Sequence, residues 1–148
     1  MAHVLTLAHS PDPDDVFMWW PLGGGGAEPS FETGRFRFET MPEDIQALNR
    51  RAIERGDLDV TAISINTYAL VRERYRLTDC AGSFGEGYGP KLVVRAGSDG
   101  PRAGAGAEEI GRWLSGRSLA VPGLDTTAYL VLRLAVGAAP AGRVVPTV

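Results

Sequence analysis

Val4-Leu5-Thr6-Leu7-Ala8-His9-Ser10-Pro11-Asp12-Pro13-Asp14-Asp15-Val16-Phe17-Met18-Trp19-Trp20 is the stretch from which the fold is read. Val4 to Ala8 is a short apolar run of the kind that forms a buried strand. The polar turn after it carries the marks of a helix start. Asp12 can cap, Pro13 suits the first helical position, and Asp14 and Asp15 favour the positive end of the helix dipole. A strand that passes through a short turn into a helix is half of a β–α–β unit. The rest of the chain decides whether the pattern continues.

It does. After a loop from Gly23 to Gly34, Arg35 to Thr40 alternates polar and apolar as a strand. Pro42 to Arg55 is a helix with Ile45, Leu48 and Ala52 on one face, and Gly56 stops it. Asp59 to Ile65 is a third strand, apolar enough to be central. Asn66 can cap a helix with Tyr68, Val71 and Tyr75 on one face. Leu77 to Cys80 is a short strand, and the glycine-rich turn Gly82 to Gly89 leads into another at Lys91 to Arg95. Gly97 to Gly106 has the composition of a linker. Beyond it come a helix from Glu108 to Leu114, a strand from Ser118 to Val121, and a helix from Asp125 to Val136 that is apolar nearly all round and therefore expected to be buried. A strand starts at Val144 and runs to Val148. Alternation of this kind predicts an α/β fold with a largely parallel sheet. The linker places a first lobe at residues 1–95 and the start of a second at residues 96–148.

Composition narrows the function. With 44% hydrophobic and 22% charged residues, a packed core is expected. The net charge of -3, with arginines scattered, excludes the basic face that a nucleic-acid or anionic-membrane partner requires. A single cysteine, Cys80, excludes an internal disulfide and a cysteine-only metal cluster. The first ten residues lack the basic start and long apolar run of a secretory signal, and no stretch approaches the roughly 20 apolar residues of a membrane span. A cytoplasmic protein is the expectation.

Three strand-to-helix junctions concentrate the chemistry: His9 to Asp15, Ser64-Ile65-Asn66-Thr67, and Pro122-Gly123-Leu124-Asp125-Thr126-Thr127. In open parallel sheets ligands bind outside the carboxyl ends of the strands, and helix starts favour anions such as carboxylates. The plainer alternative is that these Ser, Asp and Thr side chains only cap helices. His9, at the exit of the first strand, is a candidate base or a structural histidine; His3 is too near the terminus to compete. Asp12, Asp14 and Asp15 fit helix capping better than a metal shell, since no nearby His or Cys completes one, and no metal is expected. Gly23-Gly24-Gly25-Gly26 lacks the Lys-Ser/Thr ending of a phosphate loop and reads as a flexible connector.

The residues resemble one known family. Ser10-Pro11-Asp12-Pro13-Asp14-Asp15-Val16-Phe17 is similar to the Ser-Pro-x-Pro-Asn-Asp-x-Phe opening of 1,4-dihydroxy-6-naphthoate synthases of the futalosine pathway. Ile45 to Arg50, Leu58 to Ser64 with Tyr68 and Arg74-Tyr75, Gly85-x-Gly87-x-Gly89-Pro90, Leu92-Val93-Val94, Val121-Pro122-Gly123 and Thr126-Thr127-Ala128-Tyr129 follow in the family's order. The resemblance implies a periplasmic-binding-protein-like type II fold of two lobes, with the second lobe incomplete here. It implies a lyase of menaquinone biosynthesis that converts cyclic dehypoxanthinyl futalosine to 1,4-dihydroxy-6-naphthoate, with no known organic cofactor. Its substrate is a small aryl carboxylate. Substrate contacts carried over by position, together with the junction residues, are Ser10, Asp14, Ala62, Ile63, Ser64, Asn66, Thr126 and Thr127. Asp14 stands where the family usually has Asn, and the glycine run at 23–26 looks like an insertion. The family's proton-accepting histidine lies in a later Ile-His-Glu-like segment, so the chain is expected to be inactive alone, with His9 as the candidate base within it. The competing reading is a non-catalytic solute-binding protein for a small carboxylate.

The lobe boundary has a direct test. Limited proteolysis should cut first within residues 95–106; resistance there with cleavage inside Pro42 to Arg55 would refute the boundary.

Overall fold

The computed structural model describes residues 2–87, 89–137 and 143–147. Tyr88, in the glycine-rich turn, and Val148, at the end of the last expected strand, lie outside the described residues. The chain divides into two compact units, Met1–Phe84 and Gly85–Val148.

In the first unit, β1 (His3–His9) forms parallel ladders with β2 (Phe36–Pro42) on one edge and β3 (Val60–Thr61) on the other. Both edges are paired because β1 sinks progressively into the core, from exposed His3 to fully buried Leu7, Ala8 and His9. Buried backbone groups must find partners. Helix α1 (Pro13–Trp19) follows β1, α2 (Ile45–Glu54) follows β2, and α3 (Ile65–Val71) follows β3. Ala8, Leu48 of α2 and Leu58 form the core, with Met41 and Ala62 packed against it. The alternation expected from the sequence is therefore present as a mixed α/β architecture with a parallel sheet.

Several boundaries differ from the sequence reading. Helix α2 starts at Ile45, because the Asp44 carboxylate caps it by accepting the Gln46 N–H (2.7 Å), while β2 runs on to Pro42. The third strand is a two-residue edge strand, and β1 is the central one. Beyond Thr61 the ladder continues through the Ala62 N–H to the Ala8 carbonyl, and Ile65 already belongs to α3. Leu77 to Cys80 and Lys91 to Arg95 are exposed and form no strand with any partner among the described residues. An apolar run is a strand only when a neighbour supplies the ladder.

The glycine run is no loose connector. Residues Trp20–Leu22 and Gly24–Gly26 form two short 3₁₀ turns beside α1, and the Thr40 hydroxyl of β2 donates to the Gly23 carbonyl (3.2 Å). A Cβ on Gly24 would lie 2.6 Å from the Trp19 carbonyl carbon, so the close approach itself requires glycine. Gly56, at φ +62°, stops α2 as expected, and its N–H donates to the Arg51 carbonyl.

In the second unit, α4 (Ala107–Leu114) precedes β4 (Ser118–Val121), which pairs in parallel with β5 (Arg143–Pro146); α5 (Thr127–Val136) connects them. Leu114 and Val121 are buried. The Trp113 indole N–H donates to the Asp99 carbonyl (2.6 Å), and the Arg117 guanidinium stacks over the Trp113 ring at 4.7 Å. Helix α5 was expected to be buried, yet none of its residues is, and Leu134 is 76% exposed. A two-stranded sheet is too narrow to cover a helix that is apolar on all sides.

The β1–β3 edge carries a titratable stitch. The Asp59 carboxylate accepts from the Thr6 N–H and the Thr6 hydroxyl (both 2.9 Å), while the Asp59 N–H donates to the Thr6 oxygen (2.8 Å). These bonds, the backbone one first, hold the Asp59 carboxyl below the ordinary carboxylate range. A carboxyl lowered in the folded state stabilises the fold above its unfolded value, and that stabilisation disappears as pH falls through the folded value. Asp59→Asn should therefore lower stability at pH 7 while softening the loss of stability below about pH 4. Chemical denaturation at pH 7 and pH 3 checks this; an equal loss at both would refute it.

Candidate functional site

The first junction is held by three hydrogen bonds around Ser10, itself buried. Its N–H donates to Asp15 Oδ2 (2.8 Å), its Oγ accepts the Asp12 N–H (3.2 Å), and its carbonyl accepts from His9 Nδ1 (2.7 Å). Asp12 occupies the N-cap position of α1, but its side chain makes no capping bond; only its carbonyl takes the Val16 N–H. The neighbouring carboxyls diverge. Burial pushes Asp15 above the ordinary carboxylate range, whereas the Ser83 hydroxyl beside exposed Asp14 lowers it. His9 is fully buried, and its Nε2 has no hydrogen-bond partner among the described residues.

At the second junction Ser64 and Asn49 form a reciprocal pair across 15 residues. The Ser64 N–H donates to Asn49 Oδ1 (2.9 Å), and Asn49 Nδ2 donates to Ser64 Oγ (3.1 Å). Asn49 is fully buried on α2. Ser64, not Asn66, takes the N-cap position of α3, and its carbonyl accepts the Tyr68 N–H. Asn66 lies half-buried inside the helix.

Ala62, Ile63 and Ser64 line a cavity of about 320 Å³ within the first unit, together with Asp15, Tyr68 and Arg76. The fold thus brings Asp15 of the first junction and residues 62–64 of the second onto one concave surface. Ser10 is one hydrogen bond away through Asp15, and Asp14 meets the cavity wall at Ser83. Ser10 and Asn66 do not themselves line it. Trp19 and Tyr75 also line this cavity; the Trp19 indole nitrogen and Tyr75 hydroxyl are buried without partners among the described residues.

The third junction lies in the second unit and is closed on itself. The Thr126 hydroxyl, buried, donates to the Gly123 carbonyl (2.7 Å) and accepts the Tyr129 N–H (3.4 Å), capping α5. Thr127 is the first residue of the helix and half-buried. A separate apolar cavity of about 280 Å³ lies beside them, lined by Leu92, Leu119, Val121, Tyr129 and Leu132.

Asn49 escaped the sequence reading, although a signal was present. It stands between Leu48 and Ala52, at the edge of the apolar face of α2, where a polar side chain needs a buried partner. Asp15 was read only as a helix-start acid; its burial arises from packing that no local pattern encodes. Among the described residues no group of three or more His, Cys, Asp or Glu side chains has the arrangement to hold a metal ion, and no helix is long and apolar enough to cross a membrane.

A family model described as menaquinone biosynthesis matches residues 5–147. Two curated relatives are both named 1,4-dihydroxy-6-naphthoate synthase. The one from Thermus thermophilus is 38% identical over 130 residues, covering 88% of this chain and 41% of the relative. The one from Streptomyces coelicolor is 33% identical over 133 residues, covering 90% of this chain and 40% of the relative. The chain therefore spans about two fifths of the length of the curated relatives it matches.

Asn49→Leu keeps the size of the side chain but leaves the half-buried Ser64 N–H without its acceptor. It should destabilise the fold by about 1–3 kcal/mol. Ser64→Ala removes only the acceptor for Asn49 Nδ2 and should cost about 1 kcal/mol, at the lower end of the penalty for an unsatisfied buried donor. Urea midpoints measure both; an unchanged midpoint for Asn49→Leu would contradict the pairing.

Proposed function

This chain belongs to the menaquinone biosynthesis family, and from that membership we propose that it is part of a 1,4-dihydroxy-6-naphthoate synthase acting in the futalosine pathway. The activity is that of a lyase: cyclic dehypoxanthinyl futalosine is split to 1,4-dihydroxy-6-naphthoate with release of a sugar-derived fragment. The observation that carries this reading is identity of 38% and 33% across nine tenths of the chain to two synthases. Those names favour the enzyme over a non-catalytic solute-binding protein.

The wider architecture on this reading is periplasmic-binding-protein-like type II, with lobe one at residues 1–95 and the start of lobe two at 96–148. The protein works in the cytoplasm on a small-molecule substrate. Ser10, Asp14, Ala62, Ile63, Ser64, Asn66, Thr126 and Thr127 are the proposed substrate contacts. Ser64 is the best supported of them. Its oxygen accepts from Asn49, which leaves its own proton to be donated, and it lies on a cavity wall. A hydroxyl donor of this kind suits a substrate carboxylate.

The step itself needs a base within hydrogen-bond reach of the bound substrate. Because the chain spans about two fifths of its relatives, we assign that base to the longer protein and expect residues 1–148 alone to bind product without turnover. Calorimetry with 1,4-dihydroxy-6-naphthoate and chromatography of reactions containing cyclic dehypoxanthinyl futalosine test both halves, with the complete Thermus thermophilus relative as positive control. Binding without product formation is the expected result. Absence of binding would reject the synthase reading, and turnover at a rate comparable to the control, abolished by His9→Ala, would make His9 the base.

A further inference from the structure

We infer that His9 is a positioning residue for Ser10, an inference that rests on the proposed role of Ser10 as a substrate contact. A backbone carbonyl can only accept, so the 2.7 Å contact with the Ser10 oxygen requires the proton on Nδ1. In the neutral ring Nε2 is then a bare acceptor, and it is buried without a partner among the described residues. Free imidazole has no need of this tautomer; the Ser10 carbonyl imposes it.

The geometry around Ser10 has one contact per polar group. The carbonyl is taken by His9 from the strand side, the N–H by Asp15 from the helix side, and the Oγ by the Asp12 N–H. With Oγ used as an acceptor, the hydroxyl proton remains to be donated. His9 and Asp15 clamp the two flanking peptide groups and so fix the direction in which the Ser10 Cβ–Oγ bond points. A side chain kept for packing alone would be apolar here. His9 is fully buried at the end of β1, next to Leu7 and Ala8, and its Nδ1 is committed to the Ser10 carbonyl. The donor at Nδ1 is what the site retains the ring for.

Two substitutions separate positioning from packing. His9→Asn places an amide N–H near the position of Nδ1 and keeps a donor to the Ser10 carbonyl; His9→Leu keeps the bulk and removes the donor. Three readouts apply to the 148-residue chain. Nitrogen-15 NMR of the His9 ring should show the proton on Nδ1. Amide exchange of Ser10 and Asp12 should be slow in wild type and His9→Asn but fast in His9→Leu, with Leu7 and Ala8 protected in all three. Affinity for 1,4-dihydroxy-6-naphthoate should fall about tenfold in His9→Leu, the equivalent of one hydrogen bond, and recover in His9→Asn. A ring proton on Nε2 overturns the inference, as does His9→Leu with unchanged Ser10 and Asp12 exchange. Loss of protection throughout β1 in both variants also overturns it, because the role is then packing. If wild type binds no naphthoate, the substrate reading fails, and the ring tautomer and amide exchange still decide whether His9 positions Ser10.

Discussion

The buried end of β1 is the constraint from which the first unit follows. Leu7, Ala8 and His9 are fully enclosed, so every backbone N–H and C=O there must be paired within the protein. β2 satisfies one edge over seven residues and β3 with Ala62 satisfies the other. Parallel pairing on both sides brings the exits of β1 and β3 side by side. That adjacency places the Ser10 turn and the Ser64 turn in one neighbourhood and gives Asp15 and residues 62–64 a shared cavity.

Polar groups then determine how precisely those turns are set. The Asn49–Ser64 pair, the Asp15–Ser10 bond and the Thr6–Asp59 stitch each join segments that are not held by helix or ladder bonds alone. Each hydrogen bond contributes only about 0.5–1.5 kcal/mol net, but leaving one member buried and unpaired costs more. The turns are therefore specified less by what their bonds add than by the penalty for any other arrangement.

Much of this was legible in the sequence, for identifiable reasons. The apolar run at 4–8, the alternation at 35–40, the periodic face of residues 45–52 and the strand at 118–121 are local patterns whose periods match the elements they form. Where the reading departed from the structure, the deciding partner was remote. Leu77 to Cys80 and Lys91 to Arg95 have strand composition but no neighbour to pair with among the described residues. Gly24 is glycine because the Trp19 backbone passes close to it, a contact invisible to a search for phosphate loops or linkers. Helix α5 is as apolar as a buried helix, yet the two strands of its unit leave it partly open. Asp44 displaced the start of α2 because an acid that looks like a first-turn residue is the cap.

The same lesson separates the three junctions, which look alike as sequence. Each presents hydroxyls or carboxylates at the carboxyl end of a strand, and each would be expected to meet an anion. Hydrogen-bond commitments make them chemically different. At the first, three acidic residues already crowd the start of α1, and Asp15 takes the Ser10 N–H, so the helix end is complemented by the protein's own charge. At the third, the Thr126 hydroxyl both donates and accepts within its own turn. At the second, the Ser64 backbone N–H and Oγ are both occupied by Asn49, and the hydroxyl proton is left to act as a donor beside a cavity. Ser10 and Ser64 each keep a hydroxyl proton to donate, but Ser64 itself lines the cavity, and it is set there by a buried amide fifteen residues earlier, on another element. No motif at the junction could have reported it.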